Sequence, residues 1–153
     1  MGKIKLERLV NKCPLFPKKL FNQDNSFNIL DSSGDYIGVL KISICTKELR
    51  LPINLIDSSI VFYTDQIANF SWPVAFLDRI EVTKRNNGYG TQVLEMFYSI
   101  ARQHGAYLCM LVIGWNKTGD VKANQLWYEN RGWKLLDDPP NSEVSLYLMY
   151  KQL

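Results

Sequence analysis

Residues 74–104 read VAFLDRIEVTKRNNGYGTQVLEMFYSIARQH, and they are the most informative part of the chain for its fold. The first nine residues, VAFLDRIEV, alternate as in a β-strand. The alternation predicts two faces, with Val74, Phe76, Ile80 and Val82 on one and Leu77, Arg79 and Glu81 on the other. Residues 90–104 then carry apolar side chains at the spacing of one face of an α-helix. The stretch therefore predicts a strand, a loop and a helix in direct succession.

The loop between this strand and this helix, RNNGYG (85–90), contains two glycines. A strand–loop–helix junction directs several backbone N–H groups at one point, where the helix dipole also favours negative charge. Glycines allow a phosphate to approach the backbone closely, and Arg85 can add a charged contact. The Walker pattern is absent, and Val93 stands where the dinucleotide fingerprint needs its third glycine. The loop alone therefore leaves open a phosphate site over residues 85–91 and a plain tight turn.

The rest of the chain predicts strands and one further helix. DVKANQLWYENRGW predicts a helix that Asp120 opens and Gly132 ends. AYLCMLVIG (106–114) is almost wholly apolar, as in a strand covered on both faces. The other predicted strands are KIKLERL (3–9), the hairpin partners SFNIL and YIGVLKISIC around DSSGD, SIVFY, WKLL and VSLYLMYKQL. This order predicts an α+β (mixed α/β) sheet with helices packed on it.

Length and composition limit the class of protein. The chain has 153 residues, which suits a single domain covering 1–153. No apolar run is long enough for a membrane span, the start lacks a signal-peptide pattern, and the three cysteines form no CxxC pair, so we expect a cytoplasmic protein without metal. Six basic residues and one glutamate stand in the first twenty positions. We read them as a solvated face, or as a contact for an acidic partner or ligand phosphate, and expect no nucleic acid or membrane partner.

A second motif follows about forty residues after the loop. ANQLWYENRGW (123–133) places Tyr128 four residues before Gly132, with Trp133 next. Together the two motifs resemble the GNAT superfamily of acyl-CoA-dependent N-acetyltransferases. The pyrophosphate loop of that family reads R/Q-x-x-G-x-G/A, and a later helix ends in Tyr-x-x-x-Gly-Phe or a similar pattern. The resemblance covers residues 74–136, and the closing strands fit the same fold.

The resemblance implies a fold and a cosubstrate. The fold would be a GNAT-like central, mostly antiparallel, twisted sheet with a splayed parallel strand pair and helices packed on both faces. Acetyl-CoA would lay its pyrophosphate on the loop amides and its pantetheine arm between VAFLDRIEV and AYLCMLVIG. The residues expected to bind it are Ile80, Val82, Arg85, Asn86, Asn87, Gly88, Tyr89, Gly90, Thr91 and Asn124.

The resemblance also implies direct attack of an amine on the thioester in a ternary complex. An alkyl amine with a pKa near ~10.4 arrives protonated and needs a base. Glu81 and Asp78 are the nearest carboxylates; alternation predicts opposite faces for them, and Glu81 is preferred, with a pair to Arg79 as the alternative. A strand N–H between Ile80 and Val82 would hold the oxyanion. Tyr128 would protonate the leaving thiolate, with a plain core tyrosine as the alternative reading.

Other features leave the acceptor and the assembly open. Val82 stands only three residues before Arg85, closer than is usual in the family, so either Ile80 takes the place of the usual strand valine or the loop is shortened. Residues 10–25 hardly provide the two helices that shape the acceptor pocket in the family, and residues 46–73 form a long connection instead. The acceptor could be an amine-bearing small molecule or a protein lysine or N-terminus. A non-catalytic CoA-binding or interaction module is the alternative, and the protein could be a monomer or a homodimer.

Overall fold

A computed structural model of the chain describes residues 2–8, 23–45, 70–83, 88–114, 120–136 and 146–153. The helices of this part are α1 (Tyr89–Gln103) and α2 (Asp120–Glu129). Its strands are β1 (Lys5–Arg8), β2 (Gln23–Leu30), β3 (Tyr36–Cys45), β4 (Val74–Val82), β5 (Leu108–Gly114), β6 (Lys134–Leu135) and β7 (Leu146–Gln152). Several predictions lie outside the described residues, namely those for SIVFY, for positions 10–22 of the segment 10–25 and for Arg85, Asn86 and Asn87.

The seven described strands form one sheet in the order β1-β2-β3-β4-β5-β7-β6. Every neighbouring pair is antiparallel except β4 and β5, which run parallel. Parallel neighbours need a crossover, and α1 supplies it because the chain leaves β4, runs back through α1 and enters β5. The predicted α+β fold with a mostly antiparallel sheet and one parallel pair is confirmed.

Both helices end at the glycines that the sequence predicts. Gly105 follows α1 with φ +73°, and Gly132 follows α2 with φ +86°. After α2 the Trp133 N–H donates to the Tyr128 carbonyl and the Gly132 N–H to the Glu129 carbonyl, the bond pattern of a Schellman motif. The spacing from Tyr128 to Trp133 in the sequence is therefore the spacing that a Schellman helix end requires. It carries the chain back to the sheet as β6 and buries Trp133, which is 2% exposed.

The sheet divides the apolar core into two clusters. One lies between the sheet and the helices, and its helix side comes from α1 with Trp127 and Tyr128 of α2 packed against it. The other lies on the opposite face and includes Val74, Phe76 and Met110. Strand β5 contributes alternate residues to the two clusters, as its unbroken apolar run predicts. The described helices α1 and α2 share one face of the sheet.

A β-bulge in β4 changes the faces that alternation predicts. Lys41 of β3 pairs with Arg79, yet the next residue of β3 pairs with Leu77, so Asp78 is one extra residue in β4. The helix-side cluster takes Ala75, Leu77, Ile80 and Val82, whereas Val74 and Phe76 belong to the opposite cluster. The predicted common face of Val74, Phe76, Ile80 and Val82 is therefore wrong, because the extra residue shifts the period by one.

Candidate active site

Strands β4 and β5 separate partway along their length. Their pairing covers four residue pairs, from Val74 opposite Leu108 to Leu77 opposite Leu111. Strand β4 continues to Val82 and remains paired with β3, while β5 continues along β7. The two strands thus form a fork that opens at Asp78, and the predicted splay of the parallel pair is present.

The backbone of β4 offers hydrogen-bonding groups to this fork. The Thr83 N–H donates at 2.7 Å to the carbonyl of Ile37, the second residue of β3, which makes this a hydrogen-bonded pair. Hydrogen-bonded pairs alternate along an antiparallel ladder, so the backbone of Glu81 also turns toward β3. The backbone groups of Ile80 and Val82 turn the other way, toward the fork. These are the two β4 residues for which the sequence predicts contact with the cosubstrate.

Helix α1 begins beside the open end of the fork with an uncapped turn. Gly88 precedes the helix with φ +70°, a left-handed conformation that favours glycine, and no side chain of the described residues caps the helix. The first intrahelical bond runs from the Gln92 N–H to the Gly88 carbonyl at 3.3 Å. The N–H groups of residues 88–91 consequently have no acceptor within the helix. The first turn holds no acidic residue that could offset the dipole.

The second glycine of the loop has a packing role of its own. A β-carbon on Gly90 would lie 3.2 Å from Cζ2 of Trp127, so the absence of a side chain lets the indole ring approach the first turn of α1. Trp127 in turn packs edge-on against Tyr128, with ring centroids 4.9 Å apart. Gly90 thereby brings the end of α2 against the start of α1.

Arg131 places a positive charge at this junction. Its guanidinium carbon lies 3.8 Å from the centroid of the Trp127 ring, and Nη1 donates to the Trp127 carbonyl at 2.9 Å. Nε and Nη2 donate to Oγ1 of Thr91 at 3.3 and 3.0 Å. A cation beside a helix N-terminus is unfavourable unless an anion lies near both. The junction therefore has the electrostatic character of an anion site. Sequence reasoning missed Arg131, although its position four residues after Trp127 was the available signal.

Tyr128 is a half-buried side chain at the same end of α2. It packs edge-on against Trp133 with ring centroids 5.7 Å apart. Burial raises the pKa of its hydroxyl from the ordinary 10.0 to about 12, and the nearby Arg131 charge opposes part of that rise. Its hydroxyl has no hydrogen bond to another described residue. Tyr128 therefore carries its proton at neutral pH.

The two carboxylates of β4 differ in their surroundings. Glu81 accepts a 2.6 Å bond from Nη2 of Arg79, and these side chains are 55% and 59% exposed. Asp78 accepts a 2.5 Å bond from Oγ of Ser43, a side chain that is wholly buried. The predicted opposite faces for Asp78 and Glu81 are wrong, because the bulge places both on the face away from α1 and α2.

The remaining candidates contribute less to this arrangement. Asn124 is exposed on α2, and Tyr89 is half-buried against the helix-side cluster. His104 contacts the Ile100 carbonyl at 2.9 Å, which gives this histidine a role at the end of α1. Burial raises the pKa of Cys109 to about 12, as expected for a core thiol. The described residues hold no group of three His, Cys, Asp or Glu side chains suited to a metal ion. Neither described helix is long and apolar enough to cross a bilayer.

Several solved structures of acyltransferases superpose on this chain. The acetyltransferase of the GNAT family from Staphylococcus aureus Mu50 superposes with a TM-score of 0.53 at 13% identity, over 85% of this chain and 68% of that one. The PaiA N-acetyltransferase from Thermoplasma acidophilum, solved with coenzyme A, gives 0.55 at 14% identity, over 85% and 61%. FeeM, an N-acyl amino acid synthase from uncultured soil microbes, gives 0.61 at 9% identity, over 99% and 92%.

Because all three sequence identities are low, these likenesses establish the fold of the chain alone. The chain has the fold of the GNAT superfamily of acyl-CoA N-acyltransferases. It spans 61% to 68% of the length of four of the matched acetyltransferases. No protein-family model matches this sequence. No curated protein matches it either.

Proposed function

We propose that this protein is an N-acetyltransferase that moves an acetyl group from acetyl-CoA to a primary amine by direct attack in a ternary complex. The observation that carries the proposal is the fork between β4 and β5, which opens beside the uncapped start of α1. A fork offers strand-like hydrogen bonds to an extended chain, and an uncapped helix start offers N–H groups to a phosphate. Acetyl-CoA joins an extended pantetheine arm to a pyrophosphate.

Binding of the cosubstrate is assigned to the following groups. The N–H groups of residues 88–91, together with those of Asn86 and Asn87 and the charge of Arg85, receive the pyrophosphate. Arg131 adds a second cation, fixed by its stack on Trp127. The backbone of Ile80 and Val82 holds the pantetheine arm, and a further contact with that arm is assigned to Asn124 on α2.

The chemistry assigned to the chain is proton transfer and charge stabilisation. Acetyl-CoA supplies the thioester that the amine attacks. A fork-facing N–H of Ile80 or Val82 stabilises the negative charge that develops on the carbonyl oxygen. Tyr128 gives its proton to the leaving sulfur, for which its raised pKa keeps it protonated. The acceptor is a small-molecule amine or an amine of a protein.

The experiment that tests the function is release of free thiol from acetyl-CoA with a panel of primary amines. The panel comprises N-acetyl-lysine methyl ester, putrescine, tyramine and a peptide with a free N-terminus. We expect at least one amine to accelerate thiol release and to yield its acetylated product by mass spectrometry. Binding of acetyl-CoA without acetylation of any amine would instead identify a non-catalytic CoA-binding module.

A further inference from the structure

A carboxylate held by a buried hydroxyl lies at the apex of the fork, where β4 and β5 separate. Asp78 is the first residue of β4 beyond the last pair with β5, and it is also the extra residue of the bulge. Its Oδ2 accepts the 2.5 Å hydrogen bond from the buried hydroxyl of Ser43. Ser43 lies opposite Phe76 in the ladder, so the bond ties the bulge to a central strand. The orientation of Asp78 is thus fixed by a group inside the sheet.

Glu81 lacks such an environment. Its side chain is more than half exposed and is engaged by Arg79 on the same strand. It lies three positions after Asp78 in the chain, which corresponds to about 10 Å along β4. A solvated carboxylate that is paired with an exposed arginine is poorly suited to hold a proton acceptor at one fixed point.

The faces of the sheet separate Asp78 from Tyr128. Tyr128 packs against the cluster between the sheet and the helices, whereas Ser43 and Asp78 lie on the opposite face. A thioester held in the fork would therefore have a phenol on one face and a carboxylate on the other. Such a division lets one group serve the leaving sulfur while the other serves the incoming nitrogen.

We propose that Asp78, oriented by Ser43, is the carboxylate that receives the acceptor ammonium at the fork and removes its proton. The proposal rests on the proposed acetyltransferase function and assigns to Asp78 the role for which the sequence alone favours Glu81. It also defines the acceptor class as amines that arrive as cations, because a carboxylate at the apex attracts an ammonium group. Ser43 is the positioning residue of the pair.

The proton balance of this step is complete. Asp78 takes one proton from the ammonium group and releases it to solvent. The free amine forms its bond to the carbonyl carbon, and the carbon–sulfur bond breaks. Tyr128 gives a proton to the sulfur, and the second proton of the nitrogen replaces the one that Tyr128 has lost. The products are the amide, the thiol of CoA and one proton in solution.

The test compares Asp78→Asn with its matched control Glu81→Gln in the full chain. Both substitutions replace a carboxylate by an amide on the same strand and the same face. With saturating acetyl-CoA and putrescine, N-acetyl-lysine methyl ester or tyramine, we expect D78N to lower kcat/KM for the amine at neutral pH about a hundredfold or more. Because the free-base fraction of the amine rises with pH, the deficit of D78N should shrink as the pH approaches the pKa of the amine. E81Q should lower kcat/KM far less than D78N does, and its deficit should not depend on pH in the same way.

The outcomes distinguish the role of Asp78 from the proposed function. A D78N rate within about threefold of the unmodified chain, or an equal loss in E81Q, would overturn the assignment. The melting shift with acetyl-CoA is measured for each variant. If acetyl-CoA does not raise the midpoint of the unmodified chain, the proposed function is contradicted. If it raises the midpoint of the chain and of both variants, acetyl-CoA binding is intact, and an unaltered D78N rate then contradicts only the role of Asp78.

A binding measurement covers the case in which none of these amines turns over. Butylamine is titrated into the protein saturated with CoA, and the backbone amide resonances of Ser43 and Asp78 are followed by NMR. Saturable shifts that D78N abolishes and E81Q retains support the assignment. The absence of shifts in the unmodified chain would overturn it.

Discussion

At Gly88 the backbone has φ +70°, and a β-carbon there costs about 1 kcal/mol of strain. Gly34 in the β2–β3 turn has φ +86° with no heavy atom within 4 Å of an added β-carbon, so it provides a matched control. We expect Gly88→Ala and Gly34→Ala to lower the free energy of unfolding by similar amounts. Only Gly88→Ala should weaken binding of CoA, measured by calorimetry. The added methyl group would lie among the backbone amides that are assigned to the pyrophosphate. Equal CoA affinity in the two variants would contradict the assignment.

Tyr128 is the proposed general acid that protonates the leaving sulfur of CoA. Its hydroxyl has no hydrogen bond to another described residue, so Tyr128→Phe should leave the fold intact. We expect kcat for thiol release to fall about a hundredfold or more while the affinity for acetyl-CoA stays the same. Since burial raises the pKa of Tyr128 to about 12, its ionisation should produce no loss of rate near neutral pH. An unchanged kcat in the variant would exclude Tyr128 as the acid.

At the residue scale, local rules predict the positions where backbone conformation is decisive. Gly105 and Gly132 were predictable because a left-handed residue ends each helix. Arg131 was missed because its contacts with Thr91 join residues forty positions apart in the chain. The choice between Asp78 and Glu81 also depends on a distant residue, Ser43, which sequence spacing does not place.

At the element scale, β4 shows how one residue changes a prediction. Its apolar positions Ala75 and Leu77 are followed by Ile80 after a step of three, and this step is the mark of the bulge. Strict alternation missed it, since four consecutive apolar residues at the start of the strand fit either face.

The contact between the start of α1 and the end of α2 depends on the Arg131 side chain. Arg131→Lys keeps the charge but loses the planar stack on Trp127 and the paired bonds to Thr91. We expect it to lower the free energy of unfolding by about 1 kcal/mol and CoA affinity several-fold. Arg102→Lys, at an exposed position in the last turn of α1, is the control and should change neither quantity in urea unfolding and calorimetry. Equal effects in the two variants would contradict the role of Arg131.

At the scale of the whole molecule, stability should depend on alkaline pH. Burial raises the pKa of Cys109 from 9.0 to about 12 and that of Tyr128 from 10.0 to about 12. The unfolded chain releases these protons at lower pH than the folded chain, so stability present at neutral pH is lost as pH rises. We expect the thermal midpoint to fall steadily from about pH 9 toward about pH 11, and Cys109→Ala to reduce the slope. A flat profile would contradict this interpretation.

The global fold was predictable in class, while its strand order required the structure. Hydrophobic periodicity located β4, α1 and β5, and the two motifs indicated the splayed pair. The insertion of β7 between β5 and β6 depends on pairing between residues far apart, such as Leu111 with Met149. Local patterns carry no information on such partners, because any apolar strand can pair with several others.

Thermal melting of the full chain with and without acetyl-CoA tests most directly whether acetyl-CoA binds at the fork. A ligand that binds only the folded state raises the midpoint in proportion to the logarithm of its concentration above Kd. We expect such a rise for the unmodified chain, a smaller rise for the Gly88→Ala variant and an undiminished rise for Gly34→Ala. An unchanged midpoint at millimolar acetyl-CoA would contradict binding at the fork and, with it, the proposed acetyltransferase function.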